Sequence, residues 1–204
     1  MLLVIATWAV YAAPAYLLWP LVFRWKYGFS AWKAPLLPRS AYEATDVFLA
    51  VVLVGYSAAL AAWWASAGAA PHDAPSSDWN TRGWWTVGGV AAWAVGGALR
   101  ISALRALGPH WRIGQDESDQ RHQFIARGIY RWTRHPINLG LIVVASGQVL
   151  LVIGAGGPVA APAGLLAGAV LYALVQNANE NRYWARRGRA PTPGVPSPHA
   201  TRDG

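Results

Sequence analysis

The stretch RGIYRWTRHPINLG sets Arg127, Arg131, Arg134 and His135 directly before a long apolar run, and further on VQNANENRYWARRG puts Gln176, Asn177, Asn179, Glu180 and Asn181 at the end of another. Arginine forks and a histidine meet carboxylate or phosphate oxygens, whereas a carboxylate flanked by amides meets ammonium or hydroxyl groups. Gln176, Asn179 and Glu180 stand at i, i+3 and i+4 and so share one helix face. A polar face that continues an apolar helix is costly unless it lines a wet cavity or finds partners. If the two clusters converge, they suit a zwitterionic or polyhydroxyl ligand. The chain has no cysteine, which excludes a disulfide, a thiolate nucleophile and a cysteine-based metal centre, and no metal site is expected.

The elements that must position these residues are membrane helices. Of the 204 residues, 54% are apolar and only 13% charged, with 13 Trp, a balance unlike that of a water-soluble domain. The net charge of +8 does not indicate nucleic acid, because the basic residues sit at the ends of apolar runs and not on a solvated face or basic tail. Apolar runs over Leu2–Phe23, Thr45–Ala67, Trp84 to about Leu107, Ile137–Ile153 and Val159–Asn177 read as spans of about 20 residues. The first lacks a basic leader and is long for a secretory signal, although YAAPA within it resembles a cleavage site. Backbone groups find no water in hydrocarbon, so these runs must be helical. The expected fold is all-α, a polytopic membrane helical bundle of about five transmembrane helices, with GAGGP at Gly154–Pro158 closing a C-terminal helical hairpin. One domain over 1–190 and a disordered tail over 191–204, rich in Pro and small polar residues, complete the organisation.

Among the 17 Lys and Arg, Arg82 alone falls on the far side of this arrangement. The positive-inside rule then puts the N-terminus outside, and the C-terminus and both polar clusters on the cytoplasmic face of the inner membrane. Single cysteines test this cleanly in a chain that has none of its own. Cys at Ser197 is expected to label only from the cytoplasmic side and Cys at Ser77 only from outside; the reverse pattern would overturn the orientation. Arg121, Arg127 and Arg131 suit contact with anionic lipid headgroups. Pro136 suits the first turn of a helix and forces His135 out of helical geometry.

Leu107 to Gly140 resembles the cofactor-binding core of the isoprenylcysteine carboxyl methyltransferase family, which takes in phospholipid methyltransferases. The family pattern runs about G-P-Y-R-x-x-R-H-P-x-Y-x-G, and Gly128, Tyr130, Arg131, Arg134, His135, Pro136 and Gly140 fall in register. A second family motif, E-E-x-x-L-x-x-x-F-G, aligns with Asn179, Glu180 and Gly188. The resemblance covers roughly residues 100–190, with Asn138 in place of the first motif's Tyr and Asn179 in place of the second motif's first Glu. It implies an integral membrane methyltransferase that uses S-adenosylmethionine. Tyr130, Arg134, His135, Pro136, Asn138 and Gly140 would hold the cofactor, and Asn179 and Glu180 would reach its polar groups from the last span. A lipophilic acceptor would enter from the bilayer. Catalytic roles would fall to Arg134, His135 and Glu180, with His135 or Glu180 as general base if the acceptor is a phenol or amine. Arg112 and Asp116 in WRIGQD would close over the pocket. Three other readings share some of these features: an NADPH-dependent membrane reductase, although Leu141 stands where its motif has an acid; a haem-dependent isomerase drawing on His110, His122 or His135; and a lipid- or partner-binding protein without turnover.

Overall fold

A computed structural model describes residues 1–29, 41–67, 79–111 and 125–186. Arg112, Asp116, Arg121, His122, Gly188, the 191–204 tail and the labelling positions Ser77 and Ser197 lie outside the described residues. The helices are α1 (Leu2–Ala12), α2 (Trp19–Tyr27), α3 (Ala41–Ala67), α4 (Trp79–Leu107), α5 (Pro136–Gly154) and α6 (Ala160–Arg186), with 3₁₀ turns at Gly108–His110 and Gly128–Arg131. There is no strand among the described residues. Among the described residues four helical stretches are long and apolar enough to cross a membrane, Glu43–Ser66, Arg82–His110, Pro136–Gly154 and Ala160–Ala185. The remaining expected span is helical from Leu2 to Tyr27, through a π-helical segment at Ala13–Leu18. That segment lies between Pro14 and Pro20, and in it the Trp19 N–H bonds to the Pro14 carbonyl, five residues back. Pro20, next in the chain, has no N–H to give, and its ring would crowd the carbonyl four residues earlier in a regular α-turn, which falls inside the widened stretch.

The long helices run past their apolar runs. α3 starts before Thr45, α4 starts before Trp84 and α6 continues beyond Asn177. Apolarity marks what hydrocarbon covers, whereas backbone hydrogen bonding carries a helix on into the polar end. The expected hairpin is present: Gly156 takes φ +68°, a left-handed conformation that L side chains resist, and the Gly157 N–H bonds to the Val152 carbonyl at 2.9 Å. The Arg82 guanidinium, which the sequence sets apart from the other basic residues, lies over that turn.

The most extensive interface joins α4 and α5. It is built from glycine on both sides. A methyl added at Gly140 would sit 2.7 Å from the Gly96 carbonyl oxygen, and one at Gly96 would sit 2.7 Å from the Gly140 oxygen. Two turns further along, a methyl at Gly147 would lie 2.8 Å from the Gly89 oxygen. Helices in lipid gain little from burying apolar surface, so close backbone approach through small residues takes its place. α6 packs on α3 and on α5.

A second tie crosses the bundle interior. The fully buried Gln148 accepts from the Tyr56 hydroxyl at 3.1 Å and donates to Thr7 Oγ1 at 3.1 Å, and Trp93 Nε1 donates to the Thr7 carbonyl at 2.9 Å. Helices α1, α3, α4 and α5 are thereby linked at one level with every polar atom of Gln148's side chain engaged, as an apolar environment requires.

Candidate functional site

The site forms where the start of α5 meets the polar end of α6. Pro136 opens α5, and the residue before it is displaced from helical geometry, with His135 at φ −129° and ψ 58°. The imidazole therefore stands off the helix end and turns toward α6. Its Nδ1 lies 3.1 Å from Glu180 Oε2. Nδ1–H donates to the carboxylate, and in a neutral imidazole that assignment leaves Nε2 as an acceptor. His135 Nε2 is buried and has no hydrogen-bond partner. The Asn179 side-chain Nδ2, a donor, is likewise buried and unpartnered.

Tyr130 comes from the 3₁₀ turn that precedes α5. Its phenol is pushed up from the ordinary tyrosine range, first by burial and then by the Glu180 carboxylate nearby. The hydroxyl therefore keeps its proton and remains a donor. The turn is docked on the end of α4 by Arg127, whose Nε donates to the Ala106 carbonyl at 3.1 Å. Arg127 thus satisfies one of the helix-terminal carbonyls, a structural duty beside the headgroup contact expected from its position. Arg131 and Arg134 are exposed.

Asn138 is buried, and its Nδ2 donates to Asn177 Oδ1 at 2.6 Å. That bond clamps α5 to α6 one turn along from the His135–Glu180 pair. Pro136 is fully buried. Gly140 faces the other way, against Gly96 and Arg100 of α4. It sets the depth at which α5 sits rather than lining the space between α5 and α6.

Gln176, expected on one face with Asn179 and Glu180, turns to a different neighbour. It accepts from Thr45 Oγ1 at 2.8 Å and donates to Asp46 Oδ1 at 3.3 Å. The polar end of α6 is thus divided, Asn177 and Glu180 serving α5 and Tyr172 and Gln176 serving α3. A helix face wide enough to hold i, i+3 and i+4 can be shared by two neighbours. Thr45 and Asp46 were not singled out as site residues in the sequence, and Asn177 was named there only as a member of the amide cluster; for Asp46 the signal was a lone acid inside an apolar run. Among the described residues no group of His, Asp and Glu is arranged to hold a metal ion.

Residues 89–182 match the family model described as the isoprenylcysteine carboxyl methyltransferase (ICMT) family. That segment carries α5, most of α4 and α6, and the His135–Glu180 pair. No curated protein and no solved structure matches the chain. The family match and the four apolar helices together support a membrane methyltransferase.

Proposed function

We propose, for a chain that is isoprenylcysteine carboxyl methyltransferase-like over residues 89–182, that the protein transfers a methyl group from S-adenosylmethionine to a lipophilic acceptor. The observation that carries this reading is the pair of buried, unpartnered atoms in the matched segment, His135 Nε2 and Asn179 Nδ2. One is an acceptor and one a donor, so together they suit a ligand that bears both. The ammonium, carboxylate and ribose hydroxyls of S-adenosylmethionine offer that combination. Buried polar groups are seldom left unpaired in a resting fold unless a partner arrives.

In this reading Glu180 fixes the imidazole so that His135 Nε2 receives an N–H or O–H of the cofactor, and Asn179 donates to one of its oxygens. The Tyr130 hydroxyl adds a second donor. Arg134 meets the carboxylate from the exposed side, which its fork suits. The bound cofactor supplies an electrophilic methyl on a sulfonium. The protein's part is to hold that methyl in line with the acceptor and to keep water away. The positive-inside distribution supports a site on the cytoplasmic face of the inner membrane with the N-terminus outside. The acceptor reaches it sideways from the bilayer.

The test is calorimetric titration of the purified protein with S-adenosylmethionine, and with NADPH as a control. S-Adenosylmethionine is expected to bind and NADPH is not. Arg134→Lys keeps the charge but loses the fork and is expected to weaken binding by about tenfold, while Arg131→Lys is expected to bind like the parent. A parent that binds NADPH and not S-adenosylmethionine would sink the proposal.

A further inference from the structure

Resting on the methyltransferase reading just given, we infer that Asp46 is a catalytic residue of the acceptor side, and that the acceptor attacks through a nitrogen or oxygen that carries a hydrogen.

Asp46 sits near the start of α3 inside a candidate membrane span. One carboxylate oxygen is committed to the fold: Oδ1 accepts from the Tyr172 hydroxyl at 3.2 Å and from Gln176 Nε2 at 3.3 Å. The other, Oδ2, is buried and has no partner. Asp46 is therefore held in place by one edge and presents the other. An acid within a span is costly, and such a group marks a functional position by default. Structural need does not account for it, because the Tyr172 and Gln176 donors could be met by a neutral amide of the same shape.

Position points to the acceptor. Gln176 precedes Glu180 by one helical turn on α6, about 6 Å along the axis and further from the polar end. Asn179, with its unpartnered amide, lies between them in sequence. The order along α6 is therefore Asp46's anchor, then Asn179, then the His135–Glu180 pair. A cofactor entering at the polar end meets the latter, and the head of a molecule anchored in the bilayer meets Asp46. A carboxylate oxygen accepts hydrogen bonds and repels another carboxylate. It recognises an amine or hydroxyl head, and not a carboxylate one. In the transfer step the lone pair of that nitrogen or oxygen forms the new bond to the methyl carbon. The carbon–sulfur bond breaks with its pair to sulfur, and the proton of the nucleophile passes to Asp46 Oδ2.

The experiment uses the full chain in lipid nanodiscs without S-adenosylmethionine, titrated with dodecylamine, dodecanol and dodecanoate and followed by tryptophan fluorescence. Partition into the disc lipid is common to parent and variant, so their ratio reports the site. The parent is expected to bind the amine, the alcohol or both about tenfold more tightly than Asp46→Asn does, with no such loss for dodecanoate. Which of the two responds identifies the nucleophile. Asp46→Asn retains an Oδ1 acceptor for Tyr172 and Gln176 and is expected to bind S-adenosylmethionine like the parent. Equal binding of all three amphiphiles by parent and variant overturns the inference, as does a parent that prefers dodecanoate. In case the variant does not fold, the parent alone is treated with dicyclohexylcarbodiimide and Asp46 is followed by mass spectrometry. Protection by dodecylamine or dodecanol but not by dodecanoate is expected; an Asp46 that is unmodified or unprotected overturns the inference. A parent that binds S-adenosylmethionine without discriminating the amphiphiles discards the Asp46 assignment alone. One that discriminates without binding S-adenosylmethionine keeps the recognition and discards methyl transfer.

Discussion

Gly140→Val is expected to yield little or no monodisperse protein, an effect of about 3 kcal/mol or more on a fold whose whole stability is of order 5–15 kcal/mol. Even the first added carbon would stand 2.7 Å from the Gly96 carbonyl oxygen and 3.2 Å from the Arg100 backbone nitrogen. Both are backbone atoms of α4, so no rotamer change relieves the clash. α4 cannot pivot away either, because the Gly147–Gly89 approach holds the same two helices together two turns on. Gly97→Val is the control: it sits on the same α4, and a methyl there meets nothing within 4 Å. The measurements are the gel-filtration profile in detergent and the unfolding temperature of whatever folds. The milder Gly140→Ala separates packing from cofactor binding. If Gly140 positions helices, Gly140→Ala lowers the unfolding temperature. A variant that melts like the parent and loses only S-adenosylmethionine binding would return Gly140 to the role the family resemblance implies.

Glu180→Gln is the second large effect expected, and it falls on binding rather than on folding. The glutamine oxygen still accepts from His135 Nδ1, so the 3.1 Å contact has a neutral replacement and the empty protein is expected to melt close to the parent. The charge is lost. Without it the imidazole is a weaker acceptor at Nε2, and any donor of the cofactor that reaches the carboxylate directly loses a charge-assisted bond. Such a bond is worth about 1.5–3 kcal/mol, so affinity for S-adenosylmethionine is expected to fall about tenfold or more. Calorimetric titration beside a thermal melt decides it. A lower melting temperature with unchanged affinity would make Glu180 a structural partner of His135 and nothing more.

What the sequence revealed of this site followed from local rules. His135 leaves helical geometry because Pro136 follows it, and the hairpin turns where GAGGP says it should, since left-handed φ and a missing N–H are written in residue types. That the basic and amide clusters meet followed from the hairpin, and the His135–Glu180 contact realises it. The pairings that stayed hidden are those whose partners are chosen by tertiary packing. Thr45 reaches Gln176 across 131 residues, and nothing in the α6 pattern says which neighbour a polar face will find. Gly89 and Gly96, like Gly140 and Gly147, stand seven residues apart, but that spacing acquires meaning only once α4 and α5 are known to lie against each other. Arg127 illustrates a third kind of miss, a charge whose place at a helix end suits lipid and carbonyl equally until the Ala106 contact is seen.

The π-helical segment at Ala13–Leu18 has a further effect, on angular phase. In an unbroken α-helix each residue advances by about 100°, so the nineteen steps from Val4 to Phe23 would leave their side chains about 100° apart around the axis. Val4, Trp8 and Tyr11 belong to the main core, whereas Phe23 packs with Leu104 and Trp111 at the other end of α4. Both contacts lie on the bundle side of the same rod. Absorbing one extra residue in a widened turn takes back about 100°, which brings Phe23 into line with Val4. The widened turn thus works as a phase corrector: one helix serves two cores that a regular winding would have presented to different directions.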